Sequence, residues 1–375
     1  MPRFARCVFA VFLAVSCLSS SLTCQAAAPE TAAAAFILME AGNGRVLASR
    51  NETQERSIAS TTKIMTCLIA LEHSELTEKV TVKREHLREG SSMYLLEGET
   101  LTMEELLYGL MLPSGNDAAE CIAAHCGGSG GSAQFVRWMN EKAKALGMEH
   151  TSFANPSGLD EMGHSSCALD MARLAAYAMQ NPTFARIVST RTASVGTRTM
   201  TNHNKLLASY SGCVGLKTGY TASAGYCISA TAERDGMELI AVIMKAPDKD
   251  TRTKDAKALL NYGFSTYTLA DALPPEPLTP VQVVMGASDA VQPVPEAENT
   301  AVLVEKAKAG GLTRTVTLEP QVAAPVEAGQ RLGELSVLDG DTVLLTVPLV
   351  AEEAVARRSW GQVFTQLLRM AVFAA

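Results

Sequence analysis

The sequence predicts an α+β fold: one antiparallel sheet covered by helices, followed by a small all-β domain and a C-terminal amphipathic helix. Three observations carry this expectation. Strand patterns stand at both ends of the region before Leu273, helical periodicity fills the middle, and Val-rich runs with Gly and Pro turns follow a proline-rich break at 273–277. A length of 375 residues suits two folded units. With 47% hydrophobic and 19% charged residues, the chain can bury a core and carries too little charge for disorder. The net charge of -7 argues against nucleic-acid binding, because phosphates attract Lys and Arg clusters. The six His show no zinc-ligand spacing, and nothing calls for a metal or cofactor.

Residues 1–28 differ in kind from the rest. Arg3 and Arg6 precede an apolar run over 7–16, and Ala26, Ala27 and Ala28 follow, which predicts a secretory signal cleaved near Ala28 or Pro29. The apolar part is short for a membrane span. A retained anchor, or a lipoprotein at Cys17 or Cys24, is the competing reading, and the residues before each cysteine make a poor lipidation site. Cleavage leaves Cys67, Cys121, Cys126, Cys167, Cys213 and Cys227. They have no short repeated spacing in a chain large enough to fold without bridges, so buried free thiols are expected for most of them.

Residues 35–40 and 45–49 flank Gly42-Asn43-Gly44, a strand-turn-strand signal that should open the first domain, 29–272. Over 61–73, Ile64, Cys67, Leu68 and Leu71 recur at helical spacing, which puts Ser60 at a helix start. Further helices are expected over 103–112, 118–126, 131–146 and 169–180. Residues 225–233 and 237–245 should pair across Arg234-Asp235-Gly236. The linker and β-rich domain take 273–350, with strands at 302–304, 313–318 and 343–349. The tail, 351–375, is expected as a helix from 352. That helix would group Trp360, Val363, Phe364, Leu367 and Ala371 opposite Arg358, Gln362, Thr365 and Arg369. Such a basic amphipathic helix can lie on a membrane surface but is too short and charged to span; packing on the β-rich domain is the alternative.

Three short motifs carry chemistry. Ser60-Thr61-Thr62-Lys63 is a Ser-x-x-Lys tetrad whose i, i+3 offset at a helix start brings both side chains onto one face. A serine hydroxyl needs a base, and a lysine serves only if burial and nearby positive charge favour its neutral form. Such a tetrad arises by chance roughly once or twice in a chain of this composition. Ser114-Gly115-Asn116 adds a second hydroxyl and an amide, suited to passing a proton and holding a peptide backbone, although alone it reads as a turn. Lys217-Thr218-Gly219, on what reads as an edge strand, would bind a carboxylate through Lys217 and Thr218, and Gly219 would admit a close backbone.

In that order the three motifs are the set shared by penicillin-binding proteins and class A β-lactamases. Residues 59–66, 113–119 and 215–221, together with 151–160 and the stretches around Asp170-Met171-Ala172 and Asn202-His203-Asn204, resemble the low-molecular-weight D-alanyl-D-alanine carboxypeptidases. The resemblance is specific over roughly 33–270 and looser beyond. It implies a penicillin-binding transpeptidase/β-lactamase-like fold and a substrate, the peptidoglycan pentapeptide, attacked by Ser60. Lys63 would act as base and Ser114 as proton relay. Asn116 and Gly219 would help to hold the substrate, and the backbone amides of Ser60 and Tyr220 would hold the oxyanion. Lys217, Thr218 and Arg252 would hold the terminal carboxylate; an exposed helix arginine is the plainer reading of Arg252. The family often carries an arginine where His203 aligns. The resemblance further implies covalent inhibition by β-lactams, an exported enzyme at the outer face of the cytoplasmic membrane, and membrane association through the tail. The alternatives are a class A-like β-lactamase, for which no convincing glutamate-bearing deacylation loop is visible, and a non-catalytic cell-wall peptide or β-lactam sensor, which would have little reason to keep both Ser60 and Lys63.

Overall fold

A computed structural model describes residues 28–297 and 300–373 of the chain; residues 1–27, which hold nearly all of the expected signal, lie outside the described residues. The central sheet has five strands: β1 (Ala35–Glu40), β2 (Val46–Arg50), β3 (Cys213–Thr221), β4 (Gly225–Arg234) and β5 (Met237–Ala246). Their order is β2-β1-β5-β4-β3, with every neighbouring pair antiparallel. The chain thus leaves the sheet after β2, builds its helices, and returns on the far edge as β3.

The turns follow from their residues. Between β1 and β2 the Glu40 carboxylate accepts from the amides of Gly42 and Asn43, and Gly44 takes φ +71°. Between β4 and β5, Asp235 and Gly236 both take positive φ, as a two-residue Asp-Gly hairpin requires. Alternation along the strands sends Ile37, Met39, Ile240 and Val242 to one face, and Phe36, Leu38, Leu239 and Ala241 to the other. The first face packs on α1 (Lys63–His73), which carries α2 (Asn116–Cys126) behind it, and on α3 (Ala168–Met179). The second packs on α4 (Lys249–Thr266) through Leu259, Leu260 and Phe264. The helix expected over 61–73 opens as a 3-10 turn, Ala59–Thr62, before α1 proper. All six cysteines among the described residues are free thiols.

Between Leu273 and the C-terminal helix the chain is strands and turns with one short helix, Lys306–Ala309. Thr313–Leu318, Arg331–Asp339 and Thr342–Ala351 form an antiparallel meander around Leu335, Val337, Val347 and Leu349. The β-rich part is not a loose appendage, since Ala301–Glu305 pairs with Tyr267–Asp271, the strand that follows α4.

The tail corrects one expectation. The helix is Trp360–Phe373 and does not begin at 352. Val355 and Arg357 instead form bridges with Val326 and Gly286, and Arg358 donates to the Gly286 carbonyl at 2.9 Å and pairs with Asp289. Arg358 therefore belongs to the β-rich part and not to the polar face of the helix. Trp360 is 89% exposed and Phe364 66%. Among the described residues no helix is long and apolar enough to cross a membrane.

Candidate active site

Ser60 stands in the 3-10 turn between β3 and α1. Ala59 before it takes φ +48°, a left-handed conformation that costs a non-glycine residue on the order of 1–3 kcal/mol. Local bonds hold the turn: Thr61 Oγ1 donates to the Ile58 carbonyl at 2.6 Å and Thr62 Oγ1 to that of Ala59 at 2.8 Å. His164 braces it from behind. The Ala154 amide donates to His164 Nδ1, which leaves the ring proton on Nε2, 2.8 Å from Thr62 Oγ1. Burial pushes His164 down to about 4, so the ring is neutral. Two glycines let the neighbouring chain approach. A Cβ on Gly219 would lie 2.9 Å from the Ser60 nitrogen, and one on Gly158 would lie 2.0 Å from the Ala59 carbonyl oxygen.

Lys63, three residues on, is fully buried. Its Nζ lies 3.1 Å from Ser60 Oγ, 2.7 Å from Asn116 Oδ1 and 2.5 Å from the Ser157 carbonyl. Burial first, and then the charge of Lys217, hold its amine well below the ordinary lysine value, while Asp117 pulls the other way. The asymmetry favours the neutral amine beside a hydroxyl.

Ser114 enters α2 with φ +67°, and its buried Oγ has no hydrogen-bond partner among the described residues. Asn116 is fixed from the opposite wall, its backbone amide donating to the Ser91 carbonyl at 2.7 Å and its Nδ2 to that of Glu89 at 2.8 Å. Asp117 ties down the same wall by accepting from Ser92 Oγ, Met93 N and Leu95 N.

On β3, at the edge of the sheet, Lys217 is buried and donates to the Thr218 carbonyl at 2.9 Å. Burial, and then Arg252, push it down to about 7. Arg252 lies on the first turn of α4, only 5% exposed, and its Nε has no hydrogen-bond partner among the described residues. The plain expectation of an exposed helix arginine does not hold. Ser60, Ser114, Thr218, Gly219, Tyr220 and Arg252 line one cavity of about 510 Å³, with Lys63, Asn116 and Lys217 behind its wall. Every candidate residue read from the sequence is therefore gathered at one place. Sequence reasoning missed the roles of the Ser157 carbonyl, Asp117 and His164. It also missed Tyr226, Lys205 and Lys249 as lining residues. The stretch 151–160 carries the family resemblance, but a backbone carbonyl is carried by any residue and leaves no signature.

A buried lysine, held below its ordinary pKa against a serine at the edge of an antiparallel sheet, points to the active-serine peptidase class. The family model described as D-alanyl-D-alanine carboxypeptidase matches residues 22–248, and that described as the C-terminal domain of penicillin-binding protein 5 matches 274–357. The D-alanyl-D-alanine carboxypeptidase DacF of Bacillus subtilis is 32% identical over 84% of both chains, and DacD of Escherichia coli is 33% identical over 90% of both. The solved structure of penicillin binding protein 5 from Haemophilus influenzae superimposes with a TM-score of 0.72 at 26% identity, covering 88% of this chain and 99% of that one. The chain belongs to the D-alanyl-D-alanine carboxypeptidase family of serine-type hydrolases.

Proposed function

We propose that the protein removes the terminal D-alanine from peptidoglycan pentapeptide stems through an acyl-enzyme on Ser60, and that β-lactams acylate the same oxygen. The observation that carries this reading is the buried Lys63 amine, 3.1 Å from Ser60 Oγ and held below its ordinary pKa. Lys63 takes the hydroxyl proton as Ser60 Oγ attacks the carbonyl between the two D-alanines. The oxyanion meets the backbone amides of Ser60 and Tyr220. Ser114, whose Oγ has no partner among the described residues, relays the proton to the leaving amine. Asn116 orients Lys63 and, with Gly219 and Tyr220, borders the peptide. Lys217, Thr218 and Arg252 hold the terminal carboxylate, with the guanidinium able to bind it in a forked pair. Water then hydrolyses the ester. Incubating the purified protein with a pentapeptide ending in D-Ala-D-Ala should shorten it by one alanine in the mass spectrum; an unchanged peptide overturns the reading.

The reading extends to the whole chain. Residues 1–28 act as an export signal, 29–272 as the catalytic domain and 273–350 as linker and β-rich domain, while 351–375 hold the enzyme at the outer face of the cytoplasmic membrane. The exposed Trp360, Phe364 and Leu368 support the last point, since an apolar helix face open to solvent can be buried in the lipid interface. Arg357, just before the helix, can meet anionic headgroups.

A further inference from the structure

We infer that the leaving-residue end of the cavity accepts a residue carrying a second carboxylate, so that the protein also cleaves D-alanyl bonds to acidic D-residues. The inference rests on the carboxypeptidase reading above. One terminal carboxylate is satisfied by one guanidinium and a hydroxyl, which Arg252 and Thr218 supply. The cavity offers more: His203, Lys205, Lys249 and Arg252 all line it, and among the described residues neither Asp nor Glu does. Lys249 and Arg252 are three residues apart on the first turn of α4 and so share a face. Lys217 adds a further amine behind the wall, pushed down to about 7.

The two acidic neighbours on α4 stay outside the cavity, although the charge of Asp250 reaches Arg252. The Asp248 carboxylate is taken up as the helix cap, accepting from Asp250 N, Thr251 N and Thr251 Oγ1. Asp250 lines a different hollow, with Thr253, Lys254 and Lys257. His203 is held below its ordinary value by burial first, and then by the charges of Lys217, Arg252 and Lys249. Clustered cations with no carboxylate among the described lining residues repel one another, and an additional anion bound among them relieves that repulsion.

The bond changes are those of the main reaction. The Ser60 oxygen bonds to the D-alanyl carbonyl carbon, the carbon–nitrogen bond to the acidic residue breaks, and the hydroxyl proton passes by way of Lys63 and Ser114 to the leaving nitrogen. Water then splits the ester to the peptide acid and restores the serine. The second carboxylate takes no part; it is held by Lys249 and Lys205.

The test uses the whole protein and three diacetyl-L-Lys-D-Ala-D-X peptides, with X as alanine, glutamate or the neutral isostere glutamine. The kcat/KM ratio of the D-Glu to the D-Gln peptide should exceed one by about five- to tenfold at low salt and shrink as salt is added. In Lys205→Gln/Lys249→Gln, with its fold checked by circular dichroism, the ratio should fall to near one. A wild-type ratio at or below one, a ratio unchanged in the double variant, or cleavage of the D-Ala peptide with neither of the others, overturns the inference. No cleavage of any of the three defeats the carboxypeptidase reading itself.

Discussion

Asp117→Asn probes the wall that positions Asn116. The carboxylate is 2% exposed and accepts from Ser92 Oγ and Leu95 N on one oxygen and from Met93 N and Ala118 N on the other. An amide there must turn its NH2 toward one pair of donors. The less costly orientation faces Ser92 and Leu95, where the hydroxyl can rotate to accept and only the Leu95 amide is orphaned. One buried unpaired N–H costs about 1–3 kcal/mol, and the remaining bonds lose their charge assistance at about 1 kcal/mol each. Relief from burying a charge offsets part of this, leaving a net loss of about 2–4 kcal/mol, or a fall in melting temperature of roughly 5–15 °C. Thermal unfolding followed by circular dichroism measures it. Acylation by a labelled penicillin should slow as the Ser91 and Glu89 contacts to Asn116 loosen. Losing the negative charge also lowers the Lys63 pKa further, so the acid limb of acylation should move to lower pH. A variant as stable as the parent, with an unmoved acid limb, refutes the reasoning.

Three other outcomes follow from the same geometry. Lys63→Arg keeps a charge that cannot be shed, so penicillin acylation should fall by about 10²–10⁴-fold while circular dichroism stays unchanged; near-normal acylation would rule out the base role. The pH profile of kcat/KM on the pentapeptide should rise as Lys63 loses its proton and fall as Lys217, pushed down to about 7, loses the charge that helps to bind the carboxylate. Lys217→Arg should carry that alkaline limb upward. Deleting residues 360–375, and not from 352, because Val355 and Arg358 are tied to the β-rich part, should abolish binding to anionic vesicles and leave small pentapeptides cleaved. Sedimentation of the truncated protein with the vesicles would mean that the attachment lies elsewhere.

The fold was legible where periodicity and turn chemistry agreed. The Asp235-Gly236 hairpin and the helical spacing of Ile64, Cys67, Leu68 and Leu71 reappear in the structure within a residue or two. Ser60, Lys63, Ser114 and Lys217 were legible because motif order constrains them together. Asp117 was not, since its partners are backbone amides 22 to 24 residues away and a hydroxyl on a loop with no periodicity. His164 was hidden for a similar reason: it acts through Thr62, 102 residues distant in sequence. The tail misled because a helical period can be drawn through 352–359, while pairing with Val326 and Gly286 takes those residues for the β-rich part. Tertiary contacts overrode the local pattern there.

The central claim is that Ser60 is the acylated oxygen, and mass spectrometric mapping of the protein after reaction with a penicillin tests it most directly. A single penicilloyl adduct should be found on the peptide bearing Ser60, persisting for many turnover times of the pentapeptide reaction, and Ser60→Ala should carry none. An adduct on another serine, or labelling retained by a folded Ser60→Ala protein, would contradict the account.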